Sequence, residues 1–439
     1  MNEPLVHVLV INWNGREHLH DCFQSLLEGT YPNAQYILVD NASEDDSVCL
    51  VREQFGNDPR VQILECPRNL GWSGGNNFAM ARSLEAGADY VFLLNNDTAT
   101  APDALEQMIA MAEPRPEIGA LAPKMVLFDA PEILNSTGLE CSLIGASWDK
   151  GVGRLDGPRW NRREVVIGVC GGACLLRAEA LRKTGLLPED FEIYLDDLDL
   201  CLRIWNTGYE IWSCPEAVVR HKFSATLGQG TRARYKYYLN TRNRLRVVAL
   251  NFPILWMPLV KAALLVGEVR AIGRALLEGE PWRVTAHVKA WCAGLGYLPH
   301  ALIERHRRCR AGLGRCRFWK LVRKDRLFCP GVEVPERGWY TEQSVDGQRL
   351  RPMGRQAWEH VPAGRLRLIH SNCYPRLGVT SVCVSMNGAQ LAVLSAEGTA
   401  VQELDVSEGR LEFQAQHIFD ADDTGERSDL GGWIAIERV

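Results

Sequence analysis

The sequence predicts an α/β fold with a mostly parallel sheet, followed by a helical basic segment and a C-terminal antiparallel β-sandwich. Three observations support this. Strand and helix patterns alternate through residues 1–113. Residues 231–330 carry 21 Lys and Arg against 5 Asp and Glu, with apolar residues between the charges. From about residue 327 the chain consists of short alternating segments separated by Gly, Asn-Gly and Glu-Gly.

Length and composition are typical of a multidomain globular protein. The 439 residues exceed one ordinary core, and the content of 46% hydrophobic and 23% charged residues is that of folded chains. We predict three regions, residues 1–250, 251–326 and 327–439. No secretory signal and no apolar run of about 18 residues is visible, so we expect a cytoplasmic protein without a spanning helix. The 14 scattered cysteines lack a CxxC pair and are expected to be reduced.

The first region justifies the parallel sheet element by element. Apolar, β-branched segments predict strands, and amphipathic segments between them predict helices. The predicted strands are residues 5–11, 35–40, 61–65 and 89–94, and the predicted helices are residues 16–29, 45–55, 76–87 and 102–113. Strands that alternate with helices in this way predict a sheet covered on both faces.

Polar residues follow each predicted strand. They are Asn12 after the first, Asp40 after the second, Asn69 beyond the third, and Asn95, Asn96 and Asp97 after the fourth. Ligands of open α/β sheets bind beyond the carboxyl ends of the strands, so we expect these side chains to form a site. Asn and Asp also favour turns, which explains any one of them but explains four together poorly.

Two of these segments suit a nucleotide diphosphate. Asp97 at a strand end can hold a divalent cation against phosphate oxygens, while Asn95 and Asn96 orient it or bind ribose. The loop NLGWSGGNN, residues 69–77, lets the backbone approach a ligand closely before Asn76 and Asn77 begin a helix. It lacks the GxGxxG pattern, and a structural turn is an equal interpretation of this loop alone.

Two later segments offer further candidates. In YLDDLDLCLR the carboxylates of Asp196 and Asp197 precede a helix on which Asp199 and Arg203 can pair. Clustered carboxylates raise one another's pKa, which suits a general base, but capping of the helix explains them as well. His221 follows an apolar strand and is a candidate cation ligand, although a lone His is usually structural.

The basic segment suggests an anionic partner. A basic amphipathic segment on an anionic membrane surface fits best, because no nucleic-acid motif accompanies the charges. A merely solvated helical face remains the alternative.

Together these segments resemble glycosyltransferase family 2, and in particular its bacterial rhamnosyltransferase-like branch. The matching pieces are VLVINWNG, YILVDNASEDDS, NLGWSGGNN, LLNNDT, GGACLLRAEALRKTGLLPEDFEIYLDDLDLCLR, VRHKFSAT and YYLNTRNRLR, across roughly residues 5–250. The resemblance implies the GT-A fold, inverting transfer and a nucleotide-sugar donor. LLNNDT stands in the place of the family's DxD motif, where a strand delivers a carboxylate to metal and diphosphate.

The resemblance also implies roles for individual residues. Its nucleotide-sugar site corresponds to Asn12, Asp40, Gly74, Asn77, Asn95 and Asn96, its metal ligands to Asp97 and His221, its acceptor side to Gly171, Gly172 and Asp196, and its general base to Asp197. Two positions depart from the family pattern. Asn95 replaces the first Asp of DxD, and Asp196 replaces the Glu of the family's Glu-Asp pair.

The implied reaction uses Mg²⁺ or Mn²⁺ and a polyprenyl-diphosphate-linked or other glycan acceptor, as in bacterial cell-surface polysaccharide synthesis. Rhamnose from dTDP-rhamnose is the donor that the branch suggests. The branch's basic helices imply a peripheral position on the inner face of the cytoplasmic membrane. The segments GWY, residues 338–340, and RSDLGGWIAIERV, residues 427–439, resemble accessory β-sandwich domains, whose role in glycan binding, dimerisation or docking is left open. A homo-oligomer is also left open.

Two alternatives are retained. A nicotinamide-dependent oxidoreductase shares the alternation and an acid, Asp40, at the second strand, but the missing GxGxxG argues against it. A non-catalytic glycan-binding scaffold, built on a degenerate transferase domain, is allowed by Asn95.

Overall fold

The computed structural model describes most of the chain. In the N-terminal part it describes residues 3–154, 156–222, 231–277, 279–325 and 327–328, and in the C-terminal part residues 343–345, 348–353, 356–361, 363–371, 380–386, 389–396, 399–407, 409–415 and 432–438. The chain divides into two compact units. One comprises Met1–Met125, Asn135–Gly151 and Pro158–Pro330, and the other Val126–Leu134, Val152–Gly157 and Gly331–Val439.

The first unit is built on a curved sheet. The strands in this part of the chain are β1 (Val6–Asn12), β2 (Ala34–Asp40), β3 (Val61–Glu65), β4 (Tyr90–Asn95), β5 (Thr98–Thr100), β6 (Ile118–Leu127), β7 (Leu134–Ser136), β8 (Leu139–Cys141), β9 (Ser147–Asp149), β10 (Ala173–Arg177) and β11 (Glu210–His221). Their main order is β3-β2-β1-β4-β10-β6-β11-β5. The first four strands are mutually parallel, and β10 runs antiparallel to β4.

Helices cover this sheet. They are α1 (Arg16–Leu27), α2 (Ser47–Phe55), α3 (Gly71–Glu85), α4 (Ala104–Ala112), α5 (Ala178–Thr184), α6 (Asp196–Thr207), α7 (Thr231–Asn251), α8 (Met257–Leu277) and α9 (Pro281–Arg310). Two large apolar clusters fill the unit, one containing Leu9 and Val91, the other Val8 and Phe92. Successive strand residues point to opposite faces, so β1 and β4 each contribute to both clusters.

The strand register brings the predicted site together. Asn12 pairs with Asp40 across β1 and β2, and Ile11 pairs with Asn95 across β1 and β4. The carboxyl ends of three parallel strands therefore meet at one edge of the sheet. The four predicted strands and the mostly parallel α/β class are confirmed.

One predicted boundary is wrong. Helix α3 begins at Gly71 rather than at Asn76, so Gly74, Gly75 and Asn77 lie inside the helix. The Asn41 side chain accepts the Leu70 N–H at 2.8 Å and donates to the Gly71 carbonyl at 3.0 Å. These bonds satisfy backbone groups at the start of the helix, which lets the helix begin earlier than the glycines suggested.

Residues 251–326, predicted as a separate helical region, contain α8 and α9 and lie in the first compact unit. The predicted division into three regions stays a prediction. No helix among the described residues is both long and apolar enough to cross a membrane.

The C-terminal part is antiparallel, as predicted. Its strands are β12 (Gln343–Val345), β13 (Gln348–Met353), β14 (Gln356–Val361), β15 (Gly364–Ser371), β16 (Thr380–Met386), β17 (Ala389–Ala396), β18 (Thr399–Val406), β19 (Gly409–Ala415) and β20 (Gly432–Arg438). They form two sheets, β12-β13-β20-β15-β18 and β14-β19-β16-β17. Leu368 of the first sheet and Val384, Leu394 and Phe413 of the second share one buried core, which makes a β-sandwich. The GWY segment lies outside the described residues.

Candidate active site

Side chains at the ends of β1 and β2 form the first part of the site. Asn12 Nδ2 donates to Asp40 Oδ1 at 3.3 Å and to Ser43 Oγ at 3.1 Å. Asp40 Oδ2 accepts the Ser43 N–H at 3.0 Å. Asn12 and Asp40 are both almost fully buried. Since every polar atom named here has a partner, the pair is held rigidly at the sheet edge.

The turn after β4 joins this pair. Asn96 Nδ2 donates to Asn12 Oδ1 at 2.6 Å. Asn95 donates its N–H to the Gly172 carbonyl at 2.9 Å, and its Oδ1 accepts Trp72 Nε1 at 3.4 Å. A Cβ atom at Gly15 would collide with the Asn96 amide. The structure therefore brings Asn12, Asp40, Asn95 and Asn96 together, and Gly15 provides space that sequence reasoning did not identify.

Asp97 and His221 meet because β5 and β11 pair. His221 lies opposite Thr98, the residue after Asp97, and the Asp97 carbonyl accepts the Lys222 N–H at 2.9 Å. This register places Asp97 Oδ1 and His221 Nε2 3.2 Å apart. Both residues are buried. The two predicted metal ligands, separated by more than a hundred residues in sequence, are thus adjacent in space.

Asn135 fixes the direction of the His221 ring. His221 Nδ1 lies 2.6 Å from Asn135 Oδ1, an oxygen that only accepts hydrogen bonds. In the neutral ring Nδ1 therefore carries the proton, and Nε2 presents a lone pair toward Asp97. Two acceptors 3.2 Å apart require a shared proton or a cation between them. The donor set, one carboxylate oxygen and one imidazole nitrogen, fits a divalent cation.

This donor set is small. Within the described part of the chain, no cluster of three or more His, Cys, Asp and Glu is arranged to hold a metal. A cation that binds substrate phosphates commonly takes only one or two protein ligands. Asp97 and His221 therefore fit an ion that is shared with a diphosphate better than one held by protein alone.

Asp197 lies at the start of α6 and faces the end of the sheet. Its Oδ2 accepts the Gly171 N–H at 3.1 Å, and its Oδ1 accepts the Leu198 N–H at 2.7 Å. Burial and the neighbouring charge of Asp196 raise the pKa of Asp197 to about 7, although both N–H groups oppose the rise. A carboxyl with this pKa can accept a proton near neutral pH.

Asp196 has a different environment from Asp197. It is almost fully buried, and its Oδ2 accepts the Ser73 hydroxyl at 2.5 Å. Burial raises the pKa of Asp196, and the Ser73 hydrogen bond partly opposes that rise. Asp196 was predicted to lie on the acceptor side. A structural role is the alternative, because its carboxylate links α6 to the first turn of α3.

The two predicted acceptor-side glycines lie between Asp197 and the strand ends. Gly171 donates to Asp197, and a Cβ atom there would lie 2.5 Å from the Trp72 ring. A Cβ atom on Gly172 would lie 3.3 Å from Asn95 Nδ2. Gly171 thus leaves no room for a side chain beside the Trp72 ring, whereas at Gly172 a Cβ atom would make a tight contact with the Asn95 amide.

Gly74 and Asn77 are not brought into the strand-end cluster. Asn77 donates to the Leu187 carbonyl at 2.9 Å and to Glu189 Oε1 at 3.0 Å, and accepts the Leu187 N–H at 2.9 Å. A Cβ atom at Gly74 would lie 3.0 Å from Leu70 Cβ. The hydrogen bonds of Asn77 hold the chain after α5, and its predicted contact with nucleotide stays a prediction.

Several residues of the site were missed by sequence reasoning. Ser43 lies in YILVDNASEDDS and Ser73 in NLGWSGGNN, but no role was assigned to either residue, and Asn135 and Asp149 lie outside every matching segment. Burial raises the pKa of Asp149, whose charge in turn raises that of Asp197. Arg242 and Asn243 lie in YYLNTRNRLR, another of the matching segments, and likewise received no role of their own.

The comparisons with known proteins agree with this geometry. Residues 7–184 match the family model described as Glycosyl transferase family 2. The chain is 30% identical over 250 residues to the uncharacterized protein y4gI of Sinorhizobium fredii, covering 53% of this chain and 26% of that protein. It is 25% identical over 245 residues to an N-acetylglucosaminyl-diphospho-decaprenol L-rhamnosyltransferase of Mycobacterium tuberculosis, covering 51% of this chain and 77% of the relative.

A solved structure is also similar, that of GalNAc-T7 with UDP, GalNAc and Mn²⁺. Its TM-score is 0.49 at 15% identity, covering 65% of this chain and 55% of that one. The chain spans only 26% of y4gI and 42% of an uncharacterized glycosyltransferase of Haemophilus influenzae. The strand-end residues and Asp97 lie within the matched residues 7–184, and His221 lies beyond them. Residues 7–184 of this chain therefore match glycosyl transferase family 2.

Proposed function

We propose that the chain is a metal-dependent, inverting glycosyltransferase that uses a nucleotide-sugar donor and acts in the synthesis of a cell-surface glycan. The observation that carries the proposal is Asp197. This carboxyl has a pKa of about 7 and accepts the N–H of Gly171, whose neighbour Gly172 is bonded to Asn95 at the strand ends. A base is thereby positioned next to the candidate donor site.

The proposed reaction begins at Asp197. Asp197 takes the proton of an acceptor hydroxyl, and that oxygen forms a bond to the anomeric carbon of the donor sugar. The bond from this carbon to the diphosphate breaks, and its electron pair leaves with the nucleoside diphosphate. Attack from the face opposite the leaving group inverts the configuration at the anomeric carbon. Asn12 and Asp40 bind the nucleoside, in this proposal, and Asn95 and Asn96 orient the ribose and phosphates.

Asp97 and His221 would hold a Mg²⁺ or Mn²⁺ ion, which when bound neutralises charge on the diphosphate. This assignment is supported by the lone pair that Asn135 directs from His221 Nε2 toward Asp97 Oδ1. Asn95 supplies no charge where the family pattern has a first Asp. We therefore expect a cation that binds weakly without nucleotide and more tightly with it.

Rhamnose from dTDP-rhamnose is our candidate for the donor, and a polyprenyl-diphosphate-linked glycan our candidate for the acceptor. The support is the printed activity of the mycobacterial relative, an L-rhamnosyltransferase that is 25% identical to this chain. Another relative, 25% identical over 248 residues, is an O-antigen biosynthesis protein of Myxococcus xanthus.

A thermal-shift measurement tests the donor site. The purified chain is heated with dTDP, UDP, GDP or NAD, each with and without Mn²⁺. A ligand at 100 times its Kd should stabilise the unit that binds it by about 2.7 kcal/mol. We expect a metal-dependent shift with one nucleoside diphosphate. A shift with NAD alone would favour the oxidoreductase, and no shift with any diphosphate would favour the glycan-binding scaffold.

A substitution tests the base. We expect Asp197→Asn to lower turnover of the sugar nucleotide that the native chain uses by about 10²–10⁴-fold, while the nucleotide still stabilises the protein. The exposed Asp103→Asn at the start of α4 is the matched control and should retain full turnover. Full turnover by Asp197→Asn would remove this carboxyl from the mechanism.

We also propose that α8 and α9 dock on an anionic membrane surface, with the chain on the cytoplasmic side. Large apolar side chains are exposed along this segment: Ile254, Leu255, Leu265, Val269, Leu276, Leu277, Leu295, Leu302 and Ile303. The same helices expose Lys261, Arg270, Lys289 and Arg307. Exposed apolar and basic side chains on the same helices suit the boundary between acyl chains and anionic headgroups.

A further inference from the structure

We propose that Asn243 and Arg242 of α7 are positioning residues for Asp197. They hold residues 190–195, here named the base loop, in the conformation that delivers Asp197 to the strand ends. The inference rests on the proposed role of Asp197 as the base, but it concerns two residues outside that role. It is carried by backbone geometry and by hydrogen bonds that cross from α7 to the base loop.

The base loop has an unfavourable backbone. Glu192, Tyr194 and Leu195 have φ angles of 67°, 71° and 64°, and none of them is glycine. The left-handed region costs L residues roughly 1–2 kcal/mol each. Such a conformation persists only where surrounding groups hold it, and such strain is frequent near active sites. The base loop therefore needs partners outside itself.

Asn243 binds three backbone carbonyls of the base loop through one amide. Its Nδ2 lies 2.8 Å from the Phe191 carbonyl and 3.0 Å from those of Ile193 and Tyr194, and its two N–H groups are shared among these three acceptors. Asn243 is completely buried. The three carbonyls belong to the stretch of the base loop that contains its left-handed residues. A side chain without N–H donors at this position would leave buried carbonyls unsatisfied.

Arg242 acts on both the loop and Asn243. Its Nε donates to Asn243 Oδ1 at 3.0 Å, which fixes the orientation of that amide. Its Nη2 donates to the Phe191 carbonyl at 3.0 Å, and its Nη1 lies 2.9 Å from Glu192 Oε1. The exposed Tyr235 also donates to Glu192, at 2.7 Å. Two consecutive residues of α7 thus secure the centre of the base loop.

Asp197 lies two residues beyond the end of the base loop. Helix α6 begins at Asp196, directly after Leu195, so any rotation of the loop turns the first helical residues with it. Asp196 is bonded to Ser73, and Asp197 to Gly171, through contacts of 2.5 and 3.1 Å. A loop that relaxed its left-handed residues would move Asp197 away from Gly171. Small displacements of a catalytic group reduce turnover strongly.

The electrostatic environment of Asp197 provides a second readout. The titratable groups that influence it are Asp196 on α6, Asp149 on β9, and Cys170, Cys174 and Cys201. Burial is the largest cause of its raised pKa. If the base loop relaxes, water reaches Asp197 and its pKa falls toward the ordinary value. General loss of stability without relaxation of the loop would leave the pKa of the folded molecules unchanged.

The experiment replaces Asn243 by Leu, which has a similar size but no N–H donor. The pKa of Asp197 is read by NMR on the full chain with ¹³C-labelled aspartate, its resonance being identified by its loss in Asp197→Asn. We expect the pKa to fall by at least about one unit. In parallel, kcat for the sugar nucleotide that the native chain turns over should fall about 10–100-fold, with its KM unchanged.

Two further variants complete the experiment. Thr241→Val is the matched control, because Thr241 is buried on the same helix and its hydroxyl bonds to the Tyr237 carbonyl of α7. We expect it to leave the pKa and kcat unchanged. Arg242→Lys keeps the charge but loses the bond to Asn243, and it serves if Asn243→Leu does not fold. It should lower the pKa in the same direction by a smaller amount.

Folded Asn243→Leu and Arg242→Lys with the native pKa of Asp197 and native kcat would overturn the proposal. Its failure is separable from failure of the proposed function. If Asp197→Asn retained full turnover, the role of the base would be wrong, while the NMR titration would still decide whether α7 positions Asp197.

Discussion

Helix α7 and the pair α8–α9 have similar compositions but opposite environments. Both mix basic with apolar residues and contain few acids. Arg242, Asn243 and Arg244 of α7 are buried and bonded to the base loop or to α8, whereas Leu255 before α8 and Leu302 of α9 are largely exposed. The basic charge of residues 231–330 therefore has two uses, and only the exposed part is available to an external partner.

Acids of the structure balance part of this charge. Arg242 pairs with Glu192, Arg244 with Glu268, Arg246 with Asp190, and Arg308 with Asp199. Three of these four acids lie outside residues 231–330: Asp190 and Glu192 in the segment before α6, and Asp199 in α6 itself. A regional charge count thus overestimates the charge that a membrane would encounter, because ion pairs between distant segments are invisible in it.

The largest effect is expected from a comparison of two adjacent residues of α9, the buried Arg308 and the exposed Arg307. Arg308 is buried, and its Nη1 lies 2.8 Å from Asp199 Oδ1, while the Arg307 side chain is 73% exposed. Burial disfavours the charged form of Asp199, but Arg308 and Arg203 outweigh it and hold its pKa well below the ordinary value. We expect Arg308→Met to lower the free energy of unfolding by about 3 kcal/mol, measured in urea.

The matched control for that measurement is Arg307→Met. An exposed ion pair contributes little, so this variant should change the free energy of unfolding by less than about 0.5 kcal/mol. Equal effects of the two substitutions would show that the buried contact is not what distinguishes these neighbours. The order should reverse in binding to anionic vesicles, where Arg307→Met weakens binding and Arg308→Met does not.

A second test concerns the exposed apolar side chains of α8, α9 and the residues just before α8. Leu255 is 86% exposed, and inserting it among acyl chains would contribute about 1.5–3 kcal/mol. We expect Leu255→Ser to weaken binding to vesicles of phosphatidylglycerol and phosphatidylcholine about tenfold or more, measured by co-sedimentation, without lowering the melting temperature. Leu391→Ser, at an exposed position of β17, is the control. Undiminished vesicle binding by Leu255→Ser would exclude this surface as the docking site.

The smallest predicted effect concerns the loss of folding stability that the buried, ionised carboxylate of Asp197 causes. Its folded pKa of about 7 exceeds the unfolded value of 3.8, so the folded state binds this proton more tightly. The stabilisation by that proton is complete below pH 3.8 and is lost as the pH rises through 7. We expect Asp197→Asn to raise the melting temperature by about 2–4 °C at pH 8 relative to the native chain.

At pH 5 the native carboxyl is mostly protonated when folded, so the difference between the two melting temperatures should be smaller than at pH 8. A difference that does not depend on pH would mean that Asp197 is not the titrating group. Asp103→Asn, exposed on α4, should show no such dependence.

The strand-end half of the site was predictable from the sequence. Asn12, Asp40 and Asn95–Asp97 each follow an apolar run, and parallel strands deliver their carboxyl ends to one edge. The start of α3 was not predictable, because it depends on Asn41, a side chain about thirty residues away, satisfying the backbone at Leu70 and Gly71. The hydrogen bonds of Asn77 were not predictable for the same reason, since its partners are Leu187 and Glu189, more than a hundred residues away.

The sequence by itself determined the alternation that makes the parallel sheet, the polar residues at its edge, and the antiparallel pattern of the C-terminal strands. These follow from side-chain periodicity, which acts over neighbouring residues. Only the tertiary structure decided that Asn135 orients His221, that Asp197 is buried enough to have a pKa of about 7, and that Asn243 reaches the base loop. Burial and hydrogen bonding between segments 49 to 86 residues apart depend on packing, which no local pattern specifies.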